Sequence, residues 1–268
     1  MQRKKILFIG AGMMAEGIIK GFISSGTVNS EQILIYDISK DRMSSLKKTY
    51  CINTFTNISN AVKEADVVFV SVRPQNIVEV LPVLKCNNNC IVVSIAAGID
   101  IQSIENIIGT NRKIFRVMPN TLTDTRKGVS GICYNENVSE EEFAEIDQLL
   151  QSIGETTKIQ ESLFNAFSAY CTAGPAYIYE FVEAMIDAGV FVGFSRSQSR
   201  EFTLQNMLGV ATRLLNSKEH PAVFKERMTS PDGTSITALN VLNSYGFKGI
   251  IQNAIKKGLD KENSHINL

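Results

Sequence analysis

The amino-acid sequence predicts an α/β fold: a doubly wound, mostly parallel sheet over residues 1–160, followed by an all-α domain over residues 161–268. Three observations carry this prediction. Short apolar runs alternate with segments of helical period through the first part of the chain, the pattern that lays helices on both faces of a parallel sheet. Those runs are apolar at nearly every position, as strands covered on both faces require. Near Glu161 the alternation stops, and only helical patterns follow.

The first run, Ile6 to Ile9, reads ILFI and leads into Gly10. Ile18, Ile19, Phe22 and Ile23 then repeat at helical spacing. A second strand is expected from Ile33 to Tyr36, ending at Asp37. Ser39 can cap a helix over Lys40 to Lys48. Ile52 to Phe55 reads as a short strand and Ile58 to Ala65 as a helix. Asp66 opens the buried run DVVFVSV, which stops at Arg73-Pro74, and Ile77 to Leu84 reads as one helix. CIVVSIAAG is the next strand, stopped by Gly98, and Asp100 starts a helix through Ile108. Lys113 to Met118 is a strand ending in Pro119-Asn120-Thr121. Val129 to Tyr134 and Thr156 to Ile159 are closing strands, with a helix from Glu140 to Ser152 between them.

In the second part, Pro175 to Val192 is one long apolar helix with proline at its start. Ser195 and Gln198 make a capping-box pair for a helix to Leu215. Helices over Pro221 to Met228, Ser235 to Asn243 and Phe247 to Lys261 follow, with Gly246 as a stop signal. The tail KENSHINL is expected to fray. Tyr177, Ile178, Phe181, Val182, Met185, Ile186, Val190 and Phe191 spread around much of the long helix. Such a helix should be buried on most sides. A subunit interface would cover it, so a homodimer through the C-terminal helices is expected.

Composition narrows the function classes. Apolar content is 44% and charged content 20%, ordinary for a globular protein. Lysine plus arginine equals aspartate plus glutamate at 27 each, and no basic run stands out, so nucleic acid is not an expected partner. No apolar stretch nears the roughly 20 residues of a membrane helix, and the run after MQRKK is too short for a signal peptide. A cytoplasmic protein without a membrane partner is expected. The five cysteines, Cys51, Cys86, Cys90, Cys133 and Cys171, are scattered and odd in number, which argues against a disulfide framework. Cys86 and Cys90 lie in CNNNC, but the two histidines, His220 and His265, have no ligand spacing to them. No metal site is expected. The scarcity of histidine also removes the usual acid–base residue.

The stretch ILFIGAGMMA carries the chemistry. Gly10, Gly12 and Ala15 make G-x-G-x-x-A between a strand and a helix, the context of a dinucleotide fingerprint on a Rossmann-type sheet. Gly10 would form the tight turn, Gly12 would admit a pyrophosphate, and Ala15 would let helix and strand pack closely. The helix start at Met13 and Met14 would face the phosphates. Asp37 lies 22 residues beyond Ala15, near the roughly 20 expected for a carboxylate on a ribose hydroxyl. That acid favours NAD over NADP, so NADH is the expected cofactor. Ser39, Lys40 and Arg42 could receive the extra phosphate of NADPH if Asp37 turns aside. Gly10, Asp37, Arg73, Ala97 and Asn120 all fall just past strand ends, so one edge of the sheet should hold the cofactor. The residues expected there also include Val72 and Pro74, Ala96 and Gly98, and Met118 and Pro119.

Further motifs stand in order behind the fingerprint: RVMPNT (Arg116 to Thr121), AGPAY (Ala173 to Tyr177), EHP (Glu219 to Pro221) and TSPDGTS (Thr229 to Ser235). Together they resemble pyrroline-5-carboxylate reductase over about residues 4 to 260. The resemblance implies a nucleotide domain followed by a helical dimerisation domain, with larger rings of dimers known in the family. It implies hydride transfer from NADH or NADPH to the C=N carbon of 1-pyrroline-5-carboxylate, giving proline in the last step of proline synthesis. It assigns Ser230, Gly233, Thr234 and Ser235 to the substrate carboxylate, with the Ser235 hydroxyl, beside Thr234, near the imine nitrogen. Thr172, Gly174 and Pro175 complete the substrate set. Backbone N–H groups of Gly233, Thr234 and Ser235 can cradle an anion where the loop enters a helix. On its residues alone, the same stretch also reads as a plain helix cap at Thr234 or Ser235.

Three departures from the family pattern stand out. Asp232 replaces the first glycine of the usual Gly-Gly. Tyr170 to Tyr177 reads YCTAGPAY where S-G-S-G-P-A-Y is usual, so Ala173 adds a methyl. Leu122 replaces a common proline. Three other readings share the layout. A β-hydroxyacid dehydrogenase would need a lysine in the helical domain, and none lies between Lys158 and Lys218. A reductase of a related cyclic imine acid, or a catalytically silent dinucleotide-binding regulator, would be motivated by Asp232 and Ala173.

Overall fold

A computed structural model describes residues 4–264. His265 and the rest of the expected frayed tail lie outside the described residues, and Lys261 to Ser264 continue the last helix. The sheet has eight strands in the order β3-β2-β1-β4-β5-β6-β7-β8. They are β1 (Ile6–Ile9), β2 (Ile33–Tyr36), β3 (Asn53–Thr54), β4 (Val67–Val70), β5 (Ile91–Ser94), β6 (Ile114–Pro119), β7 (Gly128–Tyr134) and β8 (Gly154–Lys158). All neighbours pair in parallel except β6 and β7. The short link after β6 explains the exception, since it has no room for a crossover helix.

The crossovers are α1 (Met13–Ser25), α2 (Lys40–Tyr50), α3 (Ile58–Glu64), α4 (Ile77–Val80), α5 (Ile101–Ile108) and α6 (Glu140–Gln151). Alternate side chains of β1 enter opposite faces. Ile6 and Phe8 join one apolar core with Ile18, Ile19 and Phe22 of α1. Leu7 and Ile9 join the other, with Ala61 and Val62 of α3. Phe8 stacks on Phe69 at 4.8 Å between ring centroids. All four β1 residues are buried, each contributing roughly 1.5–3 kcal/mol. α1 lies close to its neighbours because Gly21 has no Cβ; one built there would sit 2.5 Å from a methyl of Ile153.

The helix expected over Ile77 to Leu84 is different in the structure. It runs as one α turn, α4, and continues as a 3-10 stretch over Leu81–Cys86. Pro82 offers no N–H to an α ladder, so the chain tightens there. The strand expected from Ile52 shrinks to Asn53–Thr54. The cap expected at Ser39 forms, accepting from the N–H of Arg42, and Asp100, expected as the first helical residue, is instead the N-cap of α5, accepting from the N–H of Ser103.

Beyond β8 come α7 (Phe164–Phe167), a π-helical turn over Ser168–Thr172, then α8 (Gly174–Phe191), α9 (Arg196–Leu215), α10 (Pro221–Arg227), α11 (Thr234–Ser244) and α12 (Phe247–Ser264). Ser195 and Gln198 form the expected capping box, and Gly246 takes φ +68° at the stop before α12. By compactness the chain divides into two units. One holds the sheet through Pro175 with the chain from Gly258 on; the other is Ala176–Lys257.

Within the second unit, α8 and α9 meet where Gly189 faces Ser199. Ser199 and Thr203 are buried, and Asp187 pairs with Arg196 at 2.9 Å. The expected burial of α8 on most sides is not met within one chain. Only Pro175 of that helix is buried, while Ile178 is 51% and Phe191 91% exposed. Among the described residues, both apolar core clusters draw on the first unit alone.

Candidate dinucleotide and substrate sites

The parallel order places the loops after β1, β2, β4, β5 and β6 at one edge of the sheet. Chain direction reverses its winding between β1 and β4, and that switch point is where such sheets open a crevice. Gly10 follows β1 at φ +96° and donates its N–H to Tyr36 O at 2.8 Å. Gly12 is the N-cap of α1 with φ −67° and ψ −178°, and no side chain caps the helix. A Cβ on Gly12 would meet nothing within 4 Å. The Gly12 backbone therefore borders open space, and Met13 beside it is 89% exposed. Ala15 is buried against the sheet. An uncapped helix start beside an open glycine fits a pyrophosphate.

At the end of β2, Asp37 turns inward. Its Oδ2 accepts the N–H of Ala11 at 2.7 Å, and its Oδ1 accepts the N–H of Ser39 at 2.8 Å. Arg42 donates from Nε to the carbonyl of Ala11 at 2.6 Å and from Nη2 to Glu16. The Tyr50 hydroxyl donates to the other Glu16 oxygen at 3.1 Å. Burial and the Glu16 carboxylate push the Tyr50 phenol above its ordinary pKa. Each Asp37 oxygen thus accepts one protein N–H, which ties the end of β2 to the glycine loop and to the start of α2.

The remaining loops of this edge divide by exposure. Arg73 is exposed, Val72 half-buried, and Pro74 is the first residue of a 3-10 turn. Ala96 and Met118 are buried, and Pro119 with them; Ala97 and Gly98 are half-buried, with Gly98 at φ +74°. Asn120 is 4% exposed. Its Oδ1 accepts from the N–H groups of Leu122 and Val129, both at 3.2 Å, and its Nδ2 donates to Cys171 O. Its side chain thus fastens β6, β7 and the π turn together. Sequence reasoning did not find that internal role, nor the grip of Arg42 on the glycine loop; both depend on contacts between distant segments.

The π turn carries Thr172. Its Oγ1 is buried without a hydrogen-bond partner. Ser168 in the same turn donates to Glu262 at 2.9 Å. Gly174 and Pro175 open α8.

In the second unit, the loop before α11 takes the shape that Asp232 permits. Asp232 has φ +56°, a left-handed conformation that aspartate tolerates better than most residues. Gly233 donates its N–H to Ser230 O at 3.0 Å and is the N-cap of α11, with no side-chain cap. The plain cap at Thr234 or Ser235 is therefore not what forms; these are the first and second helical residues. The N–H of Gly233 is also withdrawn from the expected anion cradle. Thr234 and Ser235, both exposed, present the first N–H groups of the helix. Nearby, Glu219 of the EHP motif holds Arg227 through two bonds of 2.7 and 2.8 Å, and His220 caps α10 from Nδ1.

Pyrroline-5-carboxylate reductase of Escherichia coli is 35% identical over 260 residues, 96% of this chain and 97% of that protein. The chain belongs to the pyrroline-5-carboxylate reductase family. The enzyme of that name from Pseudomonas aeruginosa is 36% identical over 260 residues, 95% of this chain and 94% of its own. The crystal structure of pyrroline carboxylate reductase from Plasmodium falciparum, with NADP bound, has a TM-score of 0.91 and 27% identity, covering all of both chains. The family model described as pyrroline-5-carboxylate reductase dimerisation matches residues 161–264. The one described as NADP oxidoreductase, coenzyme F420-dependent, matches residues 5–98. Among the described residues no helix is long and apolar enough to cross a membrane, and no cluster has the makings of a metal site.

Proposed function

We propose that this chain reduces the C=N bond of 1-pyrroline-5-carboxylate to L-proline, the last step of proline biosynthesis, with NADPH as hydride donor. One observation supports it above the rest. A chain that aligns end to end with reductases of this name carries two helix starts without a side-chain cap, at Gly12 and at Gly233. The first suits a pyrophosphate and the second a small carboxylate.

The nicotinamide supplies the hydride when bound. The chain holds and orients. Gly12, Met13 and Met14 would receive the pyrophosphate, on a turn that Gly10 and Ala15 shape. Ser39 and Lys40, exposed beside Asp37, would hold the 2′-phosphate of NADPH, with Arg42 in the same first turn of α2. Val72, Arg73, Pro74, Ala96, Ala97, Gly98, Met118, Pro119 and Asn120 shape the rest of the cofactor edge, the buried ones through packing and backbone. Thr234 and Ser235 bind the substrate carboxylate through their N–H groups, in the loop that Ser230 and Gly233 shape. The Ser235 hydroxyl donates to the imine nitrogen, which becomes the amine of proline. Thr172, whose buried hydroxyl has no hydrogen-bond partner, and Gly174 and Pro175 are further substrate-binding residues in this reading.

Residues 1–160 serve as the dinucleotide domain and 161–268 as the substrate and dimerisation domain. The partner is a second copy through the C-terminal helices, whose exposed apolar side chains support it. Its place is the cytoplasm. The test follows the near-ultraviolet absorbance of NADPH and NADH, in parallel, with 1-pyrroline-5-carboxylate and with the six-membered cyclic imine acid. Turnover of the five-membered imine with NADPH upholds the proposal. Cofactor binding without turnover of it overturns the reaction and leaves the related imine or a regulator. Light scattering reads dimer against larger rings.

A further inference from the structure

We infer that Asp37 and Arg42 are positioning residues that act as a clamp on the Ala11 peptide, so that Asp37 supports binding of both dinucleotides and does not choose between them. This rests on reading the glycine loop as the dinucleotide site. Ala11 is the middle residue of G-A-G, and its peptide groups are held from two directions. Asp37 Oδ2 accepts its N–H at 2.7 Å, and Arg42 Nε donates to its carbonyl at 2.6 Å. Each bond involves a charged side chain, the stronger class of hydrogen bond. Ala11 is itself fully buried.

The two gripping residues are themselves fixed. Asp37 Oδ1 accepts from Ser39 N–H, which stands at the cap of α2. Arg42 lies in the first turn of α2, its N–H bonded to Ser39 Oγ at 3.2 Å. Its Nη2 donates to Glu16 of α1, which also accepts from the Tyr50 hydroxyl at the end of α2. The clamp thus ties the loop to both helices that flank it. What it fixes is the direction of the Gly12 peptide and the first N–H groups of α1, the groups that a pyrophosphate meets. Pre-set donors bind an anion without first paying to order the loop.

A specificity role and a clamp role predict opposite results. The variants are Asp37→Ala, Asp37→Asn, Arg42→Ala and the double Asp37→Ala/Arg42→Ala. NADPH and NADH are each titrated calorimetrically into the dimer, and amide hydrogen exchange at Ala11 is followed without cofactor. The clamp predicts that Asp37→Ala weakens NADPH and NADH by the same factor, about tenfold, and speeds exchange at Ala11. Asp37→Asn, which keeps an acceptor, recovers part of both. Arg42→Ala weakens NADH, a ligand without a 2′-phosphate for Arg42 to receive. The double variant loses about as much as either single, because the two adjacent peptides of Ala11 are held together and releasing one frees the other.

A selective loss of NADH with tighter NADPH in Asp37→Ala overturns the clamp. So does an Arg42→Ala protein that binds NADH unchanged. If the unmodified protein binds neither dinucleotide, the reading of the loop itself fails, and the exchange at Ala11 still reports whether the clamp holds the apo loop.

Discussion

Gly10 and Ser71 meet backbone to backbone at the point where the sheet reverses its winding. A Cβ on Gly10 would lie 2.7 Å from the Ser71 carbonyl oxygen. Ser71 answers with its hydroxyl, which donates to Ile9 O at 3.0 Å and Gly10 O at 2.8 Å. The first glycine of the fingerprint therefore serves the fold: it lets the ends of β1 and β4 touch.

From this follows a contrast between two glycines two residues apart in the motif. Gly10→Ala adds a methyl against fixed backbone at φ +96°. It should lower stability by about 3 kcal/mol, read as a shift of the urea midpoint. Gly12→Ala meets open space at an ordinary φ of −67°. It should leave the urea midpoint within about 0.5 kcal/mol while weakening NADPH binding in a calorimetric titration. A Gly12→Ala protein that binds NADPH unchanged would remove that loop from the cofactor site.

Asn120 gives the second prediction. It is buried and accepts two backbone N–H groups. Asn120→Ala strands both, at a cost of about 2–3 kcal/mol. The expected effect is on thermal stability first, with cofactor affinity changed less than by Gly12→Ala. A stable variant with lost NADPH affinity would instead make Asn120 a direct ligand of the cofactor.

Much of this architecture was legible because its signals are local. Ile6 to Ile9 and Val67 to Val70 are apolar throughout, and only a strand with both faces covered suits them. Ser39 and Ser195 were readable as caps because a cap is decided within four residues. What stayed hidden depends on distant contacts. Nothing near Asp37 says that Ala11 will occupy it, and nothing in PNT says that Asn120 will bond Leu122, Val129 and Cys171. The helix over Ile77 to Leu84 failed for a local reason that the apolar period masked: Pro82 breaks the ladder. The burial of α8 failed because the period reports that a face must be covered, without saying by which chain.

Cys133 supplies a pH prediction. Burial, and then the Glu161 charge, push its thiol up to about 12, against about 8.5 in an unfolded chain. The folded state keeps the proton that the unfolded state loses. Its contribution to stability is complete below about pH 8.5 and is lost as pH rises towards 12. Cys133→Ala should flatten the fall of the urea midpoint over that alkaline range. At neutral pH the thiol should resist alkylation in the native protein, while the exposed Cys51 and Cys86 react. Rapid native labelling of Cys133 would contradict its burial.

Asp232 is the departure closest to the proposed carboxylate cradle. Its left-handed backbone is one that glycine adopts without cost. Asp232→Gly should therefore keep or raise thermal stability. It also removes a negative charge near a bound carboxylate, worth about 0.5 kcal/mol at ~8 Å in water. KM for the imine should fall by about twofold with kcat little changed. A rise in KM would mean that Asp232 helps to hold the substrate, and would favour a different imine acid.

Ser235 tests the chemistry itself. Gly233 is the cap of α11 and the Ser235 side chain supplies no cap, so its removal should spare the helix. Ser235→Ala ought to melt within a degree or two of the parent by the small-effect rule for exposed sites. The N–H at this position remains, so carboxylate binding, and with it KM, should move little. The hydroxyl's contact with the imine nitrogen strengthens as that nitrogen gains electrons and a proton. Its loss should therefore fall on kcat, by about 10²-fold. Ser235→Thr, which restores a hydroxyl, should recover part of the rate. A variant with raised KM and full kcat would reassign Ser235 to carboxylate binding alone and leave the proton to come from water.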